Sequence, residues 1–288
     1  MTAPDWAREP GVDLKKHGPP ANVADYTNFL TVILQRYPGQ VQGMEIWNEM
    51  NLDREWTSTK GLSATSYTAL LKASYETIKA IDPGIIVISG ALSPTGFDDG
   101  VGAIADFRYA DLLISAGVLN YMDCFGAHHN GYNMPPLIRY NENFNDPTAV
   151  FRGPFDNPHP SWSFRSTLEG YANRIRGAGS DKKLCVTEFG WPTVEDLSGP
   201  PGPGFGFAQD NTLAEQAQFI PEAMGFMEKS DFVWLAFIWN LNYSEISGYD
   251  PQNDNVPYSL MGPNSSPRPV YGNVRDWYAE YKTRVGLN

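Results

Sequence analysis

Residues Ile85-Ile86-Val87-Ile88-Ser89-Gly90 form an unbroken β-branched run that ends on serine and glycine. A strand that is apolar at consecutive positions has no face to offer to water. It fits a parallel sheet covered by helices on both sides. Short apolar runs of this kind return along the chain, each followed by a loop and an amphipathic helical pattern. Strand patterns fall at 42–51, 85–90, 122–127, 184–191 and 232–240. Helical periodicity falls at 23–36, 63–81, 106–116, 163–176, 214–229 and 270–284. The first helix has Asn22 to cap it, Tyr26, Phe29, Leu30, Ile33 and Leu34 on one face, and Pro38-Gly39 to stop it. Ser63 or Thr65 caps the second. The pattern predicts an α/β chain of five strand–helix units with one extra helix in front.

The run Gly199-Pro200-Pro201-Gly202-Pro203-Gly204 is predicted to be a rigid loop and not a linker, because the strand–helix alternation continues past it. Residues 1–288 are therefore expected to form one domain. The stretch 131–160 has many Asn and Pro and no period, which in a compact domain marks a functional or mobile loop. Its Arg139 and Arg152 are either solvated charges or substrate contacts.

No apolar run is long enough to span a membrane, and the first residues lack the basic and apolar parts of a signal peptide. The location of the protein is left open. A net charge of −12 excludes nucleic acid as a partner, since phosphates require clustered Lys and Arg. His128-His129 point to opposite faces of a strand, so no metal site stands out, and no cofactor motif is present. There are two cysteines. Cys185 lies three residues before Glu188 and Cys124 four before His128. If His128 and Glu188 both face inward, the two sulfurs point apart, and free buried thiols are expected.

The chemistry gathers at two strand ends, Glu45-Ile46-Trp47-Asn48-Glu49 with Asn51, and Val186-Thr187-Glu188-Phe189-Gly190-Trp191. Loops that follow the strands of a parallel barrel line one face, so carboxylates at two such ends are placed for catalysis. Two carboxyl groups on one face are the minimum for glycoside hydrolysis. Glu45 shares strand parity with Glu49 and is expected to lie deeper, as a hydrogen-bonded structural residue.

The two segments resemble the fourth and seventh strands of clan A glycoside hydrolases, in members similar to families 39 and 5. Phe237-Ile238-Trp239-Asn240 resembles the eighth strand, Ala127-His128-His129 the sixth, and the segment from Arg268-Pro269-Val270-Tyr271 the closing helix. The resemblance implies a retaining β-glycosidase that acts on an oligo- or polysaccharide or a small β-glycoside. Glu49 is implied as acid/base and Glu188 as nucleophile. Asn48 is implied at the sugar 2-hydroxyl and Trp239 under the reacting sugar. His128 either orients Glu188, binds a sugar hydroxyl, or is a core histidine satisfied by backbone. Trp6, Trp56 and Trp191 are either stacking faces or packing. Asn48 and Glu49 can serve one site only if the strand bulges or turns there.

Thr2-Ala3-Pro4-Asp5-Trp6 resembles the segment just after the third strand. The resemblance thus implies an incomplete TIM (β/α) barrel, with about five parallel strands corresponding to strands 4–8. An Arg that many members carry on the second strand is then absent. The alternative is a carbohydrate-binding or catalytically impaired barrel remnant. Two open sheet edges are expected to be covered by association into a homo-oligomer or by the first twenty residues.

Overall fold

The computed structural model describes residues 2–144, 146–149 and 159–287. The helices form where the apolar period and caps place them. Helix α1 (Val23–Arg36) begins at Asn22, whose side chain accepts from Ala24 N, and α2 (Ala64–Ile81) begins at Ser63, which accepts from Ser66 N. Then follow α3 (Asp106–Ser115), α4 (Phe164–Gly177), α5 (Leu213–Lys229), a single turn α6 (Tyr243–Ile246), and α7 (Pro269–Val285). Thr212 and Glu215 close a reciprocal capping box at the start of α5. The strands are β1 (Gly43–Ile46), β2 (Ile86–Ser89), β3 (Phe125–Asn130), β4 (Leu184–Gly190) and β5 (Val233–Ile238). No described helix is long and apolar enough to cross a membrane.

The chain divides into two compact units, one of Met1–His128 with Glu169–Val186, the other of His129–Leu168 with Thr187–Asn288. In the first, β1 runs parallel to β2 with Gly43 opposite Ile86 and Ile46 opposite Ser89. Parallel bridges join Ile88 to Cys124 and Leu92 to Ala127. The β-branched run is buried as its composition requires, at Val87, Ile88 and Ser89. Tyr67 of α2 fastens the strand ends: its hydroxyl donates to Ile46 O at 2.9 Å and accepts from Gly90 N at 2.6 Å. Close strand approach fixes Gly126, where a Cβ would overlap the carbonyl oxygen of Ser89.

The cysteines are not free thiols. Cys124 and Cys185 form a disulfide, with their Cα atoms 5.8 Å apart. Parity counted back from His128 misleads because Cys124 lies outside β3. A single bridge to Ile88 holds it, so the pleat of β3 does not set its direction.

In the second unit, Gly131 N donates to Gly190 O at 2.6 Å and Trp239 N to Phe189 O at 2.8 Å. β3, β4 and β5 are neighbours in that order, with β5 last. Helices α5 and α7 pack together. β5 reads Val-Trp-Leu-Ala-Phe-Ile, yet Trp234 and Phe237 remain 48% and 52% exposed. β3 begins three residues later than the pattern suggests, which places His128 and His129 inside the strand. β5 stops at Ile238, so Trp239 and Asn240 follow it.

Candidate active site

β1 stops at Ile46 and the backbone turns at once, with positive φ at Trp47 (75°) and Glu49 (42°). For residues with a Cβ this region is sparsely populated, and the surroundings must hold it. Trp47 donates its indole N–H to Glu55 O at 2.9 Å and meets Trp56 edge-on at 5.5 Å. Asn51 is buried and bridges to the loop after β2, donating to Ser93 O and Ile104 O and accepting from Ser93 N. Glu49 N donates to Ala91 O. The turn that presents Glu49 is therefore clamped on both sides, and Asn48 lies half-buried within it.

The buried Glu49 carboxyl has two close partners. Its Oε1 lies 3.2 Å from His128 Nδ1, and its Oε2 lies 3.3 Å from Arg54 Nη2. Burial pushes its pKa up, but the hydrogen bond and charge of His128 and the Arg54 cation outweigh burial. The carboxyl is held below the ordinary glutamate range. Glu45 is half-buried and accepts from Ala91 N at 3.0 Å, a structural role.

In the second unit, Glu188 is half-buried near the end of β4, and its Oε2 accepts from Asn130 Nδ2 at 2.9 Å. Trp239 is also half-buried, donating to Asn255 Oδ1 at 3.2 Å. The peptide bond that joins it to the buried Asn240 is cis.

Other expected residues fall elsewhere. Trp191 is a core residue and not a stacking face: it is fully buried among Phe164 and Phe219, and its N–H donates to Met134 O. Trp56 is buried in the same sense, in contact with Trp47 and Tyr67. Trp6 stands 77% exposed on a short turn. Arg139 pairs with Glu142; Arg152 lies outside the described residues. Sequence reasoning missed Arg54 and Asn130 as partners of the two glutamates. Nothing in a one-dimensional pattern marks a side chain that reaches a neighbour across a turn or a sheet.

His129 is buried, and its Nε2 donates to Ser161 O at 3.1 Å. Burial lowers its pKa to about 4. The unfolded chain takes up a proton near pH 6.5, whereas the native ring stays neutral to about pH 4. Its contribution to stability is thus full above 6.5 and is lost as pH falls through that window, by about 3 kcal/mol in total. Asp106 acts with the opposite sign. Burial raises its pKa to about 6, so it stabilises the fold below its unfolded value and loses that stabilisation as pH rises through 6. Comparing His129→Gln with the parent cancels the Asp106 slope. In urea melts, the cost of His129→Gln is expected to shrink from pH 7 to pH 4.5. A cost independent of pH would show that His129 is not held neutral.

No family model matches the chain, and no curated protein matches it. Among solved structures, it is similar to the GH53 catalytic domain of Ignisphaera aggregans, with a TM-score of 0.56 and 20% identity over 88% of this chain and 63% of that one. A monomeric beta-xylosidase from Caulobacter crescentus gives 0.56 and 18% identity, over 97% and 50%. A GH128 (subgroup II) endo-beta-1,3-glucanase from Sorangium cellulosum gives 0.52 and 18%, over 86% and 73%. The chain spans less than two thirds of the first two. At such identity the likeness is one of fold: a mixed α/β chain with parallel strands whose neighbours are TIM-barrel glycoside hydrolases.

Proposed function

We propose that this chain is a retaining β-glycosidase that cleaves O-glycosidic bonds by double displacement. The observation that supports it is that Glu49 and Glu188 each stand at a strand end with a polar neighbour on the carboxylate, on a fold whose neighbours are glycoside hydrolases. Glu188, ionised, attacks the anomeric carbon. The glycosidic C–O bond breaks, and its electron pair goes to the leaving oxygen, which takes the proton of Glu49. Glu49 then removes a proton from water, the water oxygen attacks the anomeric carbon, and the Glu188 ester is released. Asn48 is assigned to the 2-hydroxyl, Trp239 to the floor of the reacting sugar, and Trp6 to a stacking face. Residues 1–288 act as one catalytic domain. Hydrolysis of activated aryl β-glycosides tests this reading, and no turnover above a Glu49→Ala, Glu188→Gly double variant would sink it.

One observation favours a second reading, a sugar-binding or catalytically impaired remnant. A general acid has to hold its proton, and His128 and Arg54 keep Glu49 ionised in the free protein. Binding of sugar without turnover in the same assay selects that reading.

The architecture proposed is an incomplete barrel of strands 4–8, closed by association. Support comes from each unit separately: Phe29 and Val32 are exposed on α1, and Trp234 and Phe237 on β5. The segment before α1 is engaged elsewhere, with Lys16 on Asp53, His17 on Glu55, and Glu9 accepting from Ser58 and Thr59. A second copy is therefore the cover. Light scattering over a dilution series is expected to give a mass at least twice 32.0 kDa. A folded monomer at all concentrations would remove the association.

A further inference from the structure

A cavity of about 410 Å³ lies beside the Glu49 turn, lined by Lys16, Asp53, Arg54, Ser93 and Phe97 among others. One of these residues also holds the Glu49 carboxyl: Arg54, through an ion pair at 3.3 Å. The Arg54 side chain thus links the cavity to the Glu49 carboxyl. Its size falls within the range of small-molecule sites, about 300–1,000 Å³. Its walls are of two kinds. Phe97 is 53% exposed on the loop after β2, where Thr95 Oγ1 accepts from Phe97 N at 3.1 Å. Against it stand a lysine, an aspartate, an arginine and a serine.

An aldopyranose asks for that combination. Its C–H face packs on an aromatic ring, while its rim of hydroxyls needs donors and acceptors. A carboxyl group that delivers a proton to a glycosidic oxygen has the departing sugar on its far side. We infer that this cavity is the subsite for the leaving-group sugar, with Phe97 as its stacking face and Arg54 as the residue that couples its occupancy to Glu49. The inference rests on the glycosidase reading and gives it a direction along the substrate. It also addresses the ionised acid. Hydroxyls of the leaving sugar compete with the Glu49 carboxylate for the Arg54 guanidinium, and loss of that cation favours the protonated form of Glu49.

The test compares two substrates for each of two sugars: xylobiose with β-xylosyl fluoride, and cellobiose with β-glucosyl fluoride. Fluoride leaves as a single atom and fills no sugar subsite. For Phe97→Ala, the ratio of kcat/KM on disaccharide to kcat/KM on fluoride is expected to fall about tenfold. Phe97→Trp keeps an aromatic face and should hold the ratio near the parent value, so a general packing defect is separated from loss of stacking. An unchanged ratio in Phe97→Ala overturns the subsite. An equal fall in both variants overturns stacking as its basis. A parent protein that turns over neither fluoride nor disaccharide overturns the glycosidase reading beneath it, which is a different result from either.

Discussion

Glu188→Gly is expected to lose activity on an aryl β-glycoside by at least about 10³-fold, and azide should restore turnover with an α-glycosyl azide as product. Glycine leaves a space where the nucleophile stood. The small anion enters it and attacks the anomeric carbon directly, with a single inversion. Glu49→Ala should behave differently. With an activated leaving group the first step still proceeds through Glu188, the second step lacks its base, and azide intercepts the glycosyl-enzyme to give the β-azide. Stereochemistry therefore assigns roles where rates alone do not. The depressed pKa of Glu49 makes the point worth measuring, because an ionised carboxylate beside His128 is also what a nucleophile looks like. Product configurations opposite to these would exchange the two roles. A proton-donating Glu49 also sets the pH profile. Activity should fall as pH rises through its pKa, which lies below the ordinary glutamate value, so the alkaline limb sits on the acid side. Arg54→Met removes a cation that holds the carboxyl down, and should move that limb upward.

Much of this was open to a reader of the sequence, for a physical reason. The β-branched run at 85–90 and the caps at Asn22 and Ser63 act locally, and local rules place β2, α1 and α2 within a residue or two. The turn at Glu49 was also legible, because Asn48 and Glu49 cannot share a face on a straight strand, and positive φ at Trp47 and Glu49 supplies the turn. What failed was extrapolation of a pleat past the end of its strand, which turned the Cys124 sulfur the wrong way. The fate of the tryptophans was equally illegible. Trp191 and Trp239 sit in similar apolar contexts, yet one is sealed under Phe164 and Phe219 and the other is half-buried. Burial at that level depends on which helix packs overhead.

The disulfide carries the largest expected effect on stability. Cys124 and Cys185 are both fully buried and separated by 61 residues. The chain-entropy account gives a cross-link over a loop of that length about 4 kcal/mol, by restricting the unfolded chain. Such a figure is a large fraction of the net stability of an ordinary domain. Replacing both cysteines, Cys124→Ala with Cys185→Ala, is the cleaner variant, because a buried serine would add an unsatisfied hydroxyl. It is expected to lower the melting point by about 7 °C if unfolding is a single transition. The bond ties the residue before β3 to the second residue of β4, upstream of both His128 and Glu188, so its loss should act on stability well before it acts on KM. Labelling provides the control. Protein unfolded in guanidinium without reductant should take up no iodoacetamide, and two equivalents after reduction, one for each cysteine. Labelling of both thiols without reduction, together with an unshifted melt of the double variant, would return the cysteines to the free, buried state that strand parity alone suggested.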